Sequence, residues 1–125
     1  MDLKIKATYS LSAVDVIHYE NGMVELIGKK GLSVSAQQVQ EMFDFMDSLS
    51  PRPVVALTNR KNQYSFSFAA LQTIQKYRGV KALAILVYSR TSYIAAQFAR
   101  SKNFQIKVFM DRDHALEWLN TFISD

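Results

Sequence analysis

A group of cationic and hydroxyl side chains follows an apolar run near the middle of the sequence. Residues 58–71 read TNRKNQYSFSFAAL, and they place Arg60, Lys61 and Ser65 between the apolar residues 54–57 and a segment with helical spacing. Cations at such a junction can bind a phosphate or a carboxylate, a serine there can accept a phosphoryl group, and either can simply form a turn. The chemistry that this stretch favours is therefore anion binding or phosphorylation.

Other chemistry has little support in the sequence. The chain has no cysteine, which excludes disulfides, thiolate metal sites and thiol nucleophiles. His18 and His114 lie far apart along the chain and do not indicate a metal site. Asp111 and Asp113 are typical of the first turn of a helix rather than of an acid–base pair. We therefore expect a protein that is not an enzyme and that has no cofactor and no metal site.

The elements around this stretch begin with a predicted β-hairpin. Residues 14–19 and 23–28 alternate between apolar and polar, residues 3–8 do the same, and Asn21-Gly22 stands between the second and third segments. That dipeptide favours a type I′ turn, in which both residues take a positive φ. A helix is predicted next, capped by Ser33 or Ser35 and ending before Pro51.

From residue 54 onward, short apolar runs alternate with helical patterns. Strands are predicted at residues 54–57, 80–88 and 105–109. Gly79 and Asn103 suit the ends of the two intervening helices, and Asp111 or Asp113 suits the start of the last one. The prediction is one α/β domain over residues 1–125, in which an antiparallel hairpin joins parallel strands in a mixed sheet with about four helices.

Basic residues dominate the middle of this predicted domain. No acidic residue occurs between Asp47 and Asp111, although the net charge is only +4. Cations at the ends of helices offset the helix dipole, so most of them have a structural explanation. Arg60, Lys61 and Arg90 instead follow the carboxyl ends of strands, where open α/β sheets bind ligands. Because basic residues lie at both ends of the sheet, nucleic-acid binding is not expected.

The sequence resembles a known family over nearly its whole length. The segments YENGMVELIG, PVVAL, VKALAILVYS, SKNF and KVFMDRDHALEWLNTFI look like those of the small bacterial SpoIIAA-like domains, which belong to the STAS group of anti-sigma-factor antagonists and are STAS/SEC14-like. The closing segment is the most specific of these. The resemblance implies helices packed on a mixed sheet and a role in regulatory protein contacts rather than catalysis.

The same resemblance suggests a role for Ser65. Phosphoswitch members of the STAS group end a strand with aspartate and begin the next helix with an Asp-Ser-x-Gly-like motif whose serine is phosphorylated. In this chain Leu57 takes the strand-end position and residues 64–67 read YSFS, so the acid and the glycine are missing. Ser65 alone carries over as a phosphoacceptor. A helix N-cap is the more ordinary role for a serine at a helix start, and we favour it here.

Two functions remain open. The first is a non-catalytic regulatory domain that contacts an acidic partner or an anion through the strand-end loops. Its protein partner would be another protein or a second copy of the chain. Seven residues would form that surface: Asn59, Arg60, Lys61, Tyr64, Ser65, Phe66 and Arg90. The alternative is a carrier or sensor of a lipid or small molecule, which a deep cavity lined by Phe45, Phe66, Phe98 and methionines would favour.

The start of the chain gives no sign of a targeting segment. Residues 1–6 alternate charge and apolarity, unlike a signal peptide. No run approaches the roughly 20 apolar residues that a bilayer-spanning helix needs. We therefore expect a cytoplasmic protein without a transmembrane segment.

Overall fold

The structure, a computed structural model, describes residues 3–123. Its elements in chain order are β1 (Ile5–Ser10), β2 (Val14–Tyr19), β3 (Met23–Gly28), β4 (Ser33–Val34), α1 (Ala36–Ser48), β5 (Val55–Asn59), β6 (Ser65–Phe66), α2 (Phe68–Lys76), β7 (Ala82–Leu86), α3 (Arg90–Ala96), β8 (Gln105–Phe109) and α4 (Arg112–Ile123). Within these residues no helix has both the length and the apolar content to cross a membrane.

Six of the strands form one mixed sheet. Within residues 3–123 their order is β1-β2-β3-β5-β7-β8, with β1, β2 and β3 antiparallel and β3, β5, β7 and β8 parallel. This confirms the predicted α/β class with a hairpin ahead of the parallel units. The short strands β4 and β6 pair separately and in parallel. The sequence did not predict that pair, because two residues are too few for an alternating pattern.

The hairpin turn differs from the predicted type I′ geometry. The loop has three residues, Glu20 to Gly22, and only Gly22 has a positive φ, of 92°. The Asn21 side chain instead accepts a hydrogen bond from the backbone N–H of Met23, at 3.1 Å. A three-residue loop needs a left-handed residue only at its last position, so the prediction of two positive φ angles was wrong.

Two of the predicted helix ends were also wrong. α2 ends at Lys76, and Gly79 has no positive φ; a Cβ at Gly79 would lie 2.0 Å from the Tyr77 hydroxyl oxygen, so this glycine makes room for a side chain. α3 ends at Ala96 with Gln97 in the right-handed region. Asn103 therefore does not cap α3, and no non-glycine residue among 3–123 has a positive φ.

The helix starts agree better with the serine and aspartate positions. Ser35 forms a capping box with Gln38, and Asp111 accepts a hydrogen bond from the backbone N–H of His114 at 3.0 Å. Ser89 caps α3 as one of the two serines considered there. These side chains satisfy backbone N–H groups that a helix start leaves without partners.

Helices cover both faces of the sheet, but unequally. α1 and α2 pack over one face, where Val24, Leu26 and Ala56 meet Phe43 and Met46. α4 packs over the other face with buried Ala115, Leu116 and Leu119 against β5 and β7. α3 packs near β8 on the same face as α2. On that face, an open space lies between α2 and α3.

Candidate functional site

An open groove lies between α2 and α3. Ala70 is the buried residue of α2, and none of residues 90–96, all of them described, is buried in α3. The space between the two helices has a volume of about 740 Å³ and a floor formed by Leu83, Ile85 and Ile106 of the sheet. Both the size and the apolar floor are typical of small-molecule sites. We call this space the α2–α3 groove.

The two ends of the α2–α3 groove differ. At the end where the strands begin, the side chains of Ser101 and Asn103 both donate hydrogen bonds to the Gln75 carbonyl, each at 3.2 Å. These bonds join the last turn of α2 to the loop before β8. At the opposite end, where the strands finish, Arg60 lines the groove and no comparable pair of bonds between α2 and α3 occurs among the described residues.

Arg60 is held against two aromatic rings. Its guanidinium carbon lies 5.5 Å from the ring centroids of both Tyr64 and Phe66, and those rings meet edge to face at 5.5 Å. Its backbone N–H donates to the Leu86 carbonyl at 2.9 Å. The Arg60 Nε is enclosed and has no hydrogen-bond partner among the described residues. A guanidinium held against ring faces at the edge of a groove suits a carboxylate or a phosphate, which its planar group can bind.

Two loops fix the position of Tyr64. The Asn62 amide donates to the Gly28 carbonyl at 3.0 Å, and the Gly31 N–H donates to the Gln63 carbonyl at 2.7 Å. A Cβ at Gly28 would lie 2.3 Å from the Tyr64 ring, so only glycine allows the ring to lie there. Burial raises the pKa of Tyr64, and the charge of Arg60 offsets this only in part. The hydroxyl is therefore neutral at physiological pH.

The docking of these loops also brings further cations to the same end of the sheet. Lys29 and Lys30 lie in the loop that follows β3, beside the loop that carries Arg60 and Lys61. The sequence alone did not indicate that Lys29 and Lys30 lie there. The parallel pairing of β3 with β5 puts the carboxyl ends of both strands at one edge of the sheet. A prediction of that pairing would have placed the two lysines next to Arg60.

A second, smaller cavity lies under α1 and α2. It has a volume of about 70 Å³ and an almost wholly apolar lining that includes Met42 and Met46. Five residues line both this cavity and the α2–α3 groove: Thr58, Tyr64, Phe66, Ile74 and Leu83. The two spaces are thus separated by single side chains.

The aromatic and methionine residues expected around a ligand cavity are divided between these spaces. Phe66 and Phe98 line the α2–α3 groove, and Phe66 also lines the smaller cavity. Phe45 lines neither, because its ring packs edge to face on Tyr9 with centroids 4.7 Å apart.

A buried carboxylate on the other face of the sheet was not foreseen from the sequence. Glu25 is 2% exposed and accepts a bidentate pair of hydrogen bonds from Arg112, at 2.7 and 3.1 Å. The Tyr19 hydroxyl donates to it at 2.8 Å and the Asn59 amide at 2.9 Å, while the Tyr88 hydroxyl donates to the Asn59 carbonyl oxygen at 2.7 Å. We call these five residues the Glu25 network.

The network keeps Glu25 ionised despite its burial. Burial alone would raise the pKa of the carboxyl group, but the hydrogen bonds from Arg112, Asn59 and Tyr19 outweigh it and hold the pKa below its ordinary value. Burial and the hydrogen bond to Glu25 raise the pKa of Tyr19 to about 12. Every acceptor site of the carboxylate is thus directed at a donor of the protein, which is typical of a structural ion pair rather than of a catalytic acid.

The seven residues predicted for a binding surface fall into three groups. Arg60, Tyr64, Ser65 and Phe66 line the α2–α3 groove. Lys61 and Arg90 are exposed and lie outside its lining. Asn59 is buried within the Glu25 network, so its amide is not available to a ligand in the groove.

The predicted place of Ser65 at a helix start was wrong. β5 runs to Asn59 rather than ending at Leu57, and Ser65 lies in β6, where its N–H donates to the Leu32 carbonyl. Ser67 is the N-cap of α2, and its hydroxyl accepts from the Ala70 N–H at 3.1 Å. The pairing of β6 with β4 delays the helix by two residues. Ser65 is exposed, and its role as a phosphoacceptor stays a prediction.

Comparison with known proteins identifies the fold. No family model matches the sequence, and no curated protein sequence matches it either. Among solved structures, the chain is similar to an uncharacterized protein of the DUF3478 family from Shewanella loihica PV-4, described as having a SpoIIAA-like fold. The identity is 16%, the match covers 94% of this chain and 93% of that one, and the TM-score is 0.52. The architecture that positions the groove is therefore a SpoIIAA-like fold, as the sequence resemblance implied.

Proposed function

We propose that this protein is a non-catalytic domain that binds a small amphiphile with an anionic head group in the α2–α3 groove. The head group pairs with Arg60, and the apolar part lies along Leu83, Ile85 and Ile106. The observation that carries the proposal is the combination of a groove with an apolar floor, where Leu83 and Ile106 are partly exposed, and a cation at its end. This is the lipid or small-molecule alternative of the sequence analysis.

Charge in the groove favours an anion over a neutral or cationic ligand. Arg60 and Arg100 are the charged residues among the described residues that line it, and none of that lining is acidic. Arg60 lines the groove, so a carboxylate or phosphate there can pair with its guanidinium and neutralise the charge.

The volume also suits such a ligand. About 740 Å³ lies within the range of roughly 300–1,000 Å³ found for small-molecule sites. The adjoining cavity of about 70 Å³ would extend the apolar space if Phe66 changed rotamer, because that ring lines both.

Titration calorimetry with laurate, kept below its micelle concentration, tests the proposal. Arg60→Gln removes the charge and is expected to weaken binding at least roughly tenfold, since a hydrogen bond to a charged group contributes about 1.5–3 kcal/mol. Arg52→Gln is the matched control: it makes the same change at an exposed arginine outside the groove and should leave affinity unchanged.

Filling the groove gives an independent test. Ala95→Trp places a large ring in the lining and should abolish laurate binding, whereas Ala69→Trp makes the same change on α2 outside the lining and should preserve it. Equal affinity in the wild type and Ala95→Trp would disprove the groove as the binding site.

A regulatory protein contact is the second candidate. Phe68, at the start of α2 beside the loop of Arg60 and Lys61, is 76% exposed, which is unusual for so large an apolar side chain. A second copy of the chain is the partner that can be tested directly. Sedimentation equilibrium of the wild type and Phe68→Ser would show a dimer lost on substitution if this surface mediates it, and a monomer in both would count against it.

A further inference from the structure

We infer that the face of the domain around the α2–α3 groove docks on an anionic lipid bilayer, from which the groove takes its amphiphile. This rests on the proposed function and names the source of the ligand. The face consists of the exposed residues of α2 and α3 and of the loops that flank them, and we call it the α2–α3 face.

The charge of the α2–α3 face has one sign. Residues 48–110 contain no acidic residue, and this stretch supplies both helices and their flanking loops. The described acidic residues lie on α1, on or next to α4, and in or next to β2 and β3, and of these Asp47 of α1 accepts a hydrogen bond from the Tyr77 hydroxyl just after α2. The cations of the α2–α3 face are Arg60, Lys61, Lys76, Arg78, Arg90, Arg100 and Lys102. Such a surface attracts anionic lipid head groups.

Large apolar side chains stand among these cations. Phe68 and Leu71 of α2 are 76% and 45% exposed, and Ile94 of α3 and Phe98 just after it are 55% and 80% exposed. These four lie on both sides of the groove, although Ile5, Tyr9 and Met110 are exposed elsewhere on the molecule. Exposed phenylalanine and leucine beside arginine and lysine, without acids, is the composition of helices that lie in the membrane interface.

The combination favours a bilayer over other polyanions. Nucleic acid would neutralise the cations but would leave the aliphatic Leu71 and Ile94 in water, whereas lipid chains at the interface cover them. Docking in this orientation also points the groove at the membrane. An amphiphile can then enter without crossing water, where its apolar part is poorly solvated.

Vesicle co-sedimentation tests the inference. The wild type is expected to bind phosphatidylcholine vesicles that contain phosphatidylglycerol and not vesicles of phosphatidylcholine alone, and binding should fall as salt is raised. Arg90→Glu/Lys102→Glu reverses two charges of the α2–α3 face outside the groove lining and should reduce binding at least tenfold. Phe68→Ser/Ile94→Ser, also outside the lining, should reduce it with the charges intact.

Lys4→Glu/Lys107→Glu is the matched control for charge. Both lysines are exposed and neither is on the α2–α3 face, since Lys4 precedes the edge strand β1 and Lys107 approaches the Phe109 ring on the α4 side. This variant should bind anionic vesicles within twofold of wild type. An equal loss in both charge variants, equal binding to the two kinds of vesicle, no binding to either, or tighter binding to duplex DNA than to anionic vesicles would each overturn the inference.

Laurate titration of the same variants separates this inference from the proposed function. Arg90→Glu/Lys102→Glu should bind monomeric laurate as the wild type does, because neither residue lines the groove. Laurate binding without vesicle binding would disprove the membrane source alone. If no variant and no wild-type protein binds laurate, the proposed function fails, and the docking inference fails with it.

Discussion

The α4 side and the α3 side of the same sheet are built differently. α4 buries Ala115, Leu116 and Leu119, and its first residue, Arg112, closes the Glu25 network. α3 buries none of its residues 90–96, all of them described, and leaves Ile94 more than half exposed. Burial of apolar side chains is what stabilises a helix in a folded protein. The α4 side therefore carries stability, and the α3 side leaves open the groove that we propose as the binding site.

The largest effect is expected from breaking the Glu25 network on the α4 side. Arg112→Met leaves the Glu25 carboxylate buried without its cation. Removing one partner of a buried ion pair costs about 3–5 kcal/mol, and the lower end of that range applies here because the Arg112 side chain is 39% exposed and water screens it in part. The free energy of unfolding at neutral pH, measured by urea denaturation, should fall by that amount.

An exposed ion pair supplies the control. Arg52 pairs with Asp47 at 3.0 Å, but the side chains are 56% and 42% exposed. Arg52→Met should lower the free energy of unfolding far less than Arg112→Met, because water screens such pairs. Equal losses in the two variants would show that the Glu25 network adds nothing beyond a surface salt bridge.

A smaller but clear difference is expected between the apolar residues of the two helices. Leu119 is fully buried in α4, so Leu119→Ala should cost about 2–5 kcal/mol. Ile94→Ala in α3 should change the free energy of unfolding by no more than about 0.5 kcal/mol. Thermal or urea unfolding of both variants checks this, and a large loss for Ile94→Ala would mean that α3 packs more tightly than the structure shows.

The smallest expected effect is a pH dependence of the free energy of unfolding, which comes from Glu25 on the α4 side. Because the pKa of Glu25 is lower in the folded chain than its ordinary value of 4.5, the carboxylate stabilises the fold above that pH. This stabilisation is lost as the pH falls below 4.5 and through the folded pKa. The side chain in Glu25→Gln cannot titrate. The difference in free energy of unfolding between wild type and this variant should therefore become smaller as the pH is lowered. A difference that stays constant between neutral and acidic pH would contradict the role of the charge.

The sequence predicted the sheet because each strand has a local signature. The hairpin alternation and the apolar runs of β5, β7 and β8 depend on neighbouring residues only. Ser65 was misplaced because β6 is held by a strand far away in sequence, and no local pattern distinguishes it from Ser67.

The Glu25 network and the α2–α3 groove differ in how much of each the sequence could reveal. Glu25 had a signal, since it is a charge within the otherwise apolar strand β3, but its partner Arg112 is far away in the sequence and spacing cannot identify it. Arg60 could be selected as a candidate because open α/β sheets bind ligands beyond the carboxyl ends of their parallel strands, and its role stays a prediction. The α2–α3 groove could not be predicted, because Ile94 and Phe98 have the spacing of a packed helix and only the tertiary arrangement leaves them exposed.

Hydrogen exchange measured by mass spectrometry, with and without monomeric laurate, tests the central claim most directly. Without laurate, the amides of α3 should exchange much faster than those of α4, because α3 has no buried residue whereas α4 buries three. With laurate, protection should rise in α2 and α3 and stay unchanged in α4. Equal protection of α3 and α4 in the free protein, or no change in α2 and α3 at saturating laurate, would contradict the account.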